Sequence, residues 1–95
     1  MRDYELAFII KPTLEGDDVT AVVDQVSEFI GTVDGEVASV DVWGRKRLAY
    51  PINNHREGTY VLLNTKMPPA SLVDLERELK LSEDIIRYLL VKVES

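Results

Sequence analysis

The residues with the clearest chemical capability form a basic run near the middle of the chain, where Trp43 and Gly44 precede three consecutive cations. Lysine and arginine bind phosphate groups, and a neighbouring aromatic ring adds stacking on a base or on a guanidinium group. With the cations near the two chain ends, the candidate RNA-binding residues are Arg2, Arg45, Lys46, Arg47, Arg87 and Lys92. A short basic run on a solvent-facing hairpin is equally typical of a surface without a ligand.

The acidic residues are concentrated in one part of the sequence. The chain has 17 acidic and 11 basic residues, and its net charge of −6 by itself argues against nucleic-acid binding. Eight of the acids lie between Thr13 and Val42, where there is no lysine or arginine. The rest of the chain holds nine acids and 11 bases, a balance of +2. This pattern predicts either an acidic surface that faces a basic partner or a solvated helix face.

The sequence contains no recognisable arrangement of catalytic residues. His55 is the single histidine and lies in a predicted turn, and there is no cysteine. There is no glycine-rich phosphate loop and no metal-ligand spacing, and the acids of the predicted helix do not converge. We therefore predict that the protein is not an enzyme and that it has no catalytic residue, metal site, cofactor or small-molecule substrate.

The elements that position these residues follow from the spacing of the apolar side chains. Alternation and apolar runs predict strands over residues 4–10, over 36–42 with an extended continuation at 47–52, over 59–67 and over 85–93. Valines at helical spacing predict a helix from about 18 to 33, and Ser71 begins a second helix. Gly44 indicates a bulge or bend, and residues 53–58 read as a turn. The order β-α-β-β-α-β predicts an α+β, ferredoxin-like single domain over residues 1–95, with a four-stranded antiparallel sheet and two helices on one face.

Such a sheet has a second face that two helices cannot cover. If Leu6 and Phe8 point toward the helices, the alternate apolar residues of the first, third and last strands must point outward. An exposed apolar patch of this size is typical of an interaction site. Together with the hairpin aromatics, the candidate partner-binding residues are Trp43, Tyr50, Tyr60, Leu62, Leu89 and Val91. A slipped register, or a chain end that covers the sheet, would remove this surface.

The sequence also bears on where the protein acts. Its first residues lack the charged-then-apolar layout of a secretory signal. Its apolar runs are far shorter than the ~20 residues that span a bilayer. We therefore expect a cytoplasmic protein that makes no contact with a membrane.

Four segments make the sequence recognisable as a whole. The twelve-residue run Asp41–Ile52 is the most specific of them. Met1–Leu6, Gly58–Tyr60 and Ile86–Lys92 fit the same pattern in one collinear order. Taken together, these segments resemble the S-six family of bacterial small-subunit ribosomal proteins over essentially the whole chain.

The resemblance implies the same βαββαβ fold, a ribosome-bound position on the platform of the small subunit, and binding to the central domain of small-subunit ribosomal RNA. It also implies a heterodimer with the small, basic S-eighteen ribosomal protein and a role in translation without catalysis. Two other interpretations of the fold stay open: a regulatory or RNA-recognition-like domain outside the ribosome, and an acylphosphatase-type enzyme. The enzyme would need an arginine in the loop after the first strand, where this chain has Lys11-Pro12-Thr13.

Overall fold

The computed structural model describes residues 1–52 and 54–93, in which four strands and two helices follow the predicted order. The strands are β1 (Arg2–Ile10), β2 (Glu36–Ile52), β3 (His55–Met67) and β4 (Ile85–Lys92). The helices are α1 (Asp17–Thr32) and α2 (Leu72–Leu81), and a short 3-10 turn, Pro69–Ser71, leads into α2. Because the two predicted segments 36–42 and 47–52 are continuous, they form the single long strand β2.

The sheet has the strand order β2-β3-β1-β4, with every neighbouring pair antiparallel. β1 is a central strand, and its Leu6 pairs with Leu63 of β3 and with Leu90 of β4. This arrangement confirms the predicted ferredoxin-like α+β fold. Side chains alternate between the two faces of a strand, so these three leucines share the face that the helices cover. We call that face the helix side and the opposite one the outer face.

The hydrophobic core lies between the helix side of the sheet and the two helices. The helices contribute the buried side chains of Val22, Val23, Val26, Ile30, Leu75 and Leu79. The sheet contributes fully buried side chains at Leu6, Phe8, Ile10, Val61, Leu63 and Met67. Valine is a weak helix former, so burial of this stripe stabilises α1 more than its intrinsic propensity does.

Backbone geometry at Asp34 and Gly35 fixes the end of α1. Asp34 is left-handed, with φ of 66°, and the Gly35 N–H donates to the Ile30 carbonyl at 2.9 Å. A Cβ added at Gly35 would lie 2.6 Å from the Met67 Cγ and 2.8 Å from the Ile30 Cγ2. At the end of α1 the backbone therefore lies very close to core side chains.

The hairpin of β2 and β3 is longer than the sequence predicts. A turn was expected over residues 53–58, but β3 already begins at His55. Asn54 has φ of 66°, a left-handed conformation that asparagine tolerates in a tight turn. Gly44 has φ of 87° where the register shifts, which confirms the predicted bulge. Residue 53 of the turn and residues 94–95 of the predicted domain lie outside the described residues.

Gly35→Ala should lower the free energy of unfolding by about 1–3 kcal/mol, because the new methyl group must displace core atoms that are already close-packed. Gly31→Ala is the matched control. A Cβ at Gly31 has no neighbour within 4 Å, and alanine favours the helix, so stability should hold or rise by up to about 1 kcal/mol. Urea unfolding measures both, and equal effects of the two substitutions would contradict the packing described at Gly35.

Candidate RNA and protein interface

The end of the β2/β3 hairpin is irregular, and this decides the shape of the outer face. The strands pair regularly at Arg47 and Glu57 and again at Ile52 and His55. Between these two pairs, residues 48–51 of β2 stand opposite the single residue 56 of β3. The excess length on β2 bends the strand, as a β-bulge does. We call residues 45–52 and 54–57 the hairpin end.

The hairpin end bends over the outer face of the sheet. Leu48 is only 7% exposed, and it shares a cavity of about 320 Å³ with Ile9, Tyr60 and Leu89. Three strand spacings, about 14 Å, separate β2 from β4 within the sheet. Arg87 of β4 nevertheless donates a hydrogen bond to the Tyr50 hydroxyl of β2. The hairpin end must therefore cross above β3 and β1 to reach β4.

Arg87 and Tyr50 are held together by two kinds of contact. The hydroxyl of Tyr50 accepts the hydrogen bond, and the Arg87 Cζ lies 5.8 Å from the centre of the tyrosine ring. This distance is within the range of a cation–π interaction. A residue predicted to bind RNA and a residue predicted to bind a protein partner are thus in direct contact.

The predicted apolar residues share the outer face, which stays partly open. Two rows of paired residues cross it: Tyr60, Ile9 and Arg87 form one, and Leu62, Ala7 and Leu89 the next. Leu89 is 62% exposed and Val91 is 45% exposed, whereas Tyr60 and Leu62 are half-buried. The chain covers part of its own apolar face with the hairpin end. The far part, around Leu89 and Val91, is left to solvent.

Trp43 lies at the bulge of β2, next to this face. Its indole N–H donates to the Asp41 carboxylate at 2.8 Å, and Asp41 pairs with Leu62 of the outer face. The Lys46 Nζ lies 5.6 Å from the centre of the indole ring. Trp43 therefore contacts Lys46 and also lies next to the apolar outer face, and about half of its area remains exposed.

The six basic candidates do not form one site. Arg45, Lys46, Arg47 and Arg87 lie at the end of the sheet where β1 finishes. The other two lie at the opposite end, on the helix side, since Arg2 pairs with the buried Met67 and Lys92 with the buried Tyr4. Four of the cations therefore share one end of the sheet, where Arg45 is directed to the helix side and Arg87 to the outer face. The other two form a separate, smaller group.

Arg45 differs from its neighbours because acids already surround it. Its guanidinium group lies 3.1 Å from the Glu57 carboxylate and 3.5 Å from that of Glu15, and it donates to the Pro12 carbonyl. A phosphate would have to compete with these oxygen atoms. Lys46 and Arg47 have no such ion pair among the described residues, so more of their charge is available to a ligand.

Sequence reasoning missed Arg56 as a member of this basic end. Arg56 is exposed, and it lines a shallow cavity together with Arg47 and Tyr50. Its position in a predicted turn hid its proximity to the basic run. The sequence does contain a signal for this proximity. The two strands of a hairpin lie side by side, so cations on either side of a turn can become neighbours.

The acids of α1 and the apolar outer face are separated by the sheet. The acids of α1 belong to the helix side, whereas the predicted partner-binding residues lie on or beside the outer face. Asp41 of the acidic segment differs, because it lies on β2 and pairs with Leu62 of the outer face. The acidic helix and the apolar face therefore face in different directions.

No group of three or more His, Cys, Asp and Glu side chains in residues 1–52 and 54–93 is arranged to hold a metal ion. No helix in that part of the chain has both the length and the apolar character needed to cross a membrane.

The topology and the open sheet face define a ferredoxin-like domain. Comparison with known proteins shows which family of this fold class the chain resembles. A family model described as Ribosomal protein S6 matches residues 3–92. Small ribosomal subunit protein bS6 of Moorella thermoacetica is 48% identical over 94 residues, covering 99% of this chain and 96% of that protein. Its namesake in Campylobacter concisus is 47% identical over 95 residues, covering all of this chain but 68% of the relative.

A solved structure points to the same family as the sequence relatives. The crystal structure of 30S ribosomal protein S6 from Thermotoga maritima superposes with a TM-score of 0.91 at 27% identity, covering 97% of this chain and 87% of that one. The chain belongs to the ribosomal protein S6 family, which confirms the S-six resemblance. Members of this family are structural ribosomal proteins and not enzymes, so the prediction of no enzymatic activity is confirmed.

Leu48→Ala should lower the free energy of unfolding by about 2 kcal/mol, because it removes apolar contacts from a buried side chain. Leu89→Ala makes the same chemical change at an exposed position and should alter stability by no more than about 0.5 kcal/mol. Denaturant titrations compare the two. If Leu48→Ala proved as neutral as Leu89→Ala, the hairpin end would not be docked on the outer face.

Proposed function

We propose that this protein is a structural constituent of the bacterial small ribosomal subunit. In this role it binds the central domain of small-subunit ribosomal RNA, together with the basic S-eighteen ribosomal protein, and supports translation in the cytoplasm. The observation that carries the proposal is the position of a cluster of cations on the hairpin end, directly beside an exposed apolar sheet face. Family membership supplies the ribosomal context.

The outer face has the composition expected of a protein-binding surface. Leu89 and Val91 are exposed aliphatic residues in the last strand. Tyr50 and Tyr60 line a cavity with Leu89, and Trp43 lies at the β2 side of the same face. Aromatic residues are enriched at protein interfaces and among the residues that dominate binding energy. We assign this face to S-eighteen, with Leu62 as part of its floor.

The hairpin end has the charge expected of an RNA-binding surface. Arg47 and Arg56 line a cavity beside Tyr50, and Arg87 of β4 donates to the hydroxyl of that tyrosine. Lys46 precedes Arg47 on β2, and Glu57 of the hairpin end is already paired with Arg45. We assign the first phosphate contacts to these four cations. Arg2 and Lys92 would make a second, separate contact, and Arg45 would contribute less because its charge is balanced.

The contact between Tyr50 and Arg87 links the two surfaces. A partner that packs on the outer face meets Tyr50, and any change in the position of that ring changes the hydrogen bond available to Arg87. Binding of the partner and binding of RNA should therefore be coupled. In thermodynamic terms, each ligand should change the affinity of the chain for the other by the same factor.

Leu89→Glu should weaken binding of purified S-eighteen about tenfold or more, because it places a charge in the centre of an apolar contact. Val73→Glu is the matched control, since Val73 is 64% exposed on α2, away from the outer face. Isothermal titration calorimetry gives both affinities. Equal binding by the two variants would exclude the outer face as the S-eighteen site.

Lys46→Ala and Arg87→Ala should each flatten the plot of log RNA affinity against log salt by about one unit, because each loses one phosphate contact. Arg45→Ala should change the slope less. Filter-binding titrations over a range of salt, with and without S-eighteen, measure these slopes. If neither Lys46→Ala nor Arg87→Ala altered affinity or slope at any salt, the chain would be held on the ribosome mainly by its partner.

A further inference from the structure

A groove on the helix side of the sheet takes no part in the function proposed above. It runs between α1 and the edge strand β2 and has a volume of about 830 Å³. Its walls are mainly aliphatic: Val19 and Val23 lie on α1, and Val40 and Val42 on β2. Val40 pairs with Leu63 and Val42 with Val61, both of them core residues, so the groove is an open extension of the core.

The groove exposes more apolar surface than its position on the core side of the sheet requires. Val40 is 49% exposed and Val42 is 50% exposed, although their cross-strand partners are buried. Both valines lie on β2, an edge strand of the sheet, which has a neighbouring strand on one side only. Adjacent exposed valines of this kind are typical of a surface that is covered by a partner.

The charge around the groove is acidic. Glu15 and Asp24 line it, and most of its lining residues belong to the segment 13–42, which has no lysine or arginine. Arg45 is the single cation among the lining residues and is paired with Glu15 and Glu57, so Asp24 is the lining acid that has no ion pair among the described residues. Phosphate groups are repelled by such a surface, whereas lysine or arginine side chains are attracted to it. The groove therefore suits a basic protein segment and does not suit RNA.

The register of β2 argues against pairing with a long added strand. Shifts between Val37 and Ser39 and between Val42 and Gly44 interrupt the edge, and Asp41 lies between them. Bulges and charges at an edge strand hinder edge-to-edge association. A second copy of this chain is also disfavoured by charge, because each copy has a net charge of −6. Specific binding must therefore come mainly from side chains that enter the groove.

We propose that the groove between α1 and β2 docks a short basic segment of a partner protein, with aliphatic side chains seated against Val40 and Val42. Lysine or arginine residues of that segment would lie beside Glu15 and Asp24. This surface is separate from the outer face and does not depend on the assignment of S-eighteen there. The protein would thus have two docking surfaces on opposite sides of one sheet.

The test uses a short fluorescein-labelled peptide in which lysine alternates with valine and leucine, titrated with the full chain and followed by fluorescence anisotropy. Val42→Lys should weaken binding about tenfold or more, since it places a like charge in the apolar wall. Val73→Lys adds the same charge on the exposed face of α2 and should bind like the unaltered chain. A peptide with glutamate in place of lysine should not bind measurably.

Three results would overturn the proposal. One is equal binding of the lysine peptide by Val42→Lys and Val73→Lys, which would show that net charge alone accounts for the attraction. Another is binding of the glutamate peptide with the same affinity as the lysine peptide, which would show that the acidic rim of the groove does not contribute to binding. A third is a dimer of the unaltered chain in sedimentation equilibrium that Val42→Lys abolishes, which would assign the groove to a second copy. Circular dichroism of each variant separates loss of binding from loss of fold.

Discussion

Four strands side by side present two faces, and the two helices of this protein can cover only one of them. Strand β1 shows the consequence most clearly, because it lies in the centre of the sheet and is apolar on both faces. Leu6 and Phe8 are buried under the helices, whereas Ala7 and Ile9 belong to the outer face. The free energy gained by covering apolar surface, about 25 cal/mol per Å², therefore favours any element that can reach that outer face.

The hairpin end is the element of the chain that does reach it. The unequal lengths of β2 and β3 beyond Arg47 bend the strand, bury Leu48, and bring Tyr50 to Arg87 on the far edge. The same bend keeps the basic residues of the hairpin beside the remaining open surface. One irregularity thus sets both the extent of the apolar patch and the position of the charge next to it.

Much of this fold follows from the sequence because each prediction rests on a short-range pattern. The valine spacing gives α1, and strict alternation gives the outward direction of Tyr60 and Leu89, since a strand has a period of two. The bend of the hairpin end could not be predicted in this way. It depends on how many residues of β2 oppose Arg56, and a turn assigned by composition over residues 53–58 concealed that mismatch.

Long-range contacts also escaped the sequence. The ion pair between Arg45 and Glu15 joins residues 30 positions apart, so the basic run looked uniform although one of its members is balanced by acid. In the same way, net charge alone could not show that the acidic helix and the apolar face lie on opposite sides of the sheet. Only the packing of α1 against the helix side separates them.

We propose that the outer face, with its adjacent cations, holds this chain on the small ribosomal subunit. Sucrose-gradient sedimentation tests this with the tagged chain, produced at native levels, beside a folded variant with Leu62→Glu and Leu89→Glu. The unaltered chain should sediment with the small subunit, and the variant should remain at the top of the gradient. Equal sedimentation of both chains, or an unaltered chain that stays free of the subunit, would contradict it.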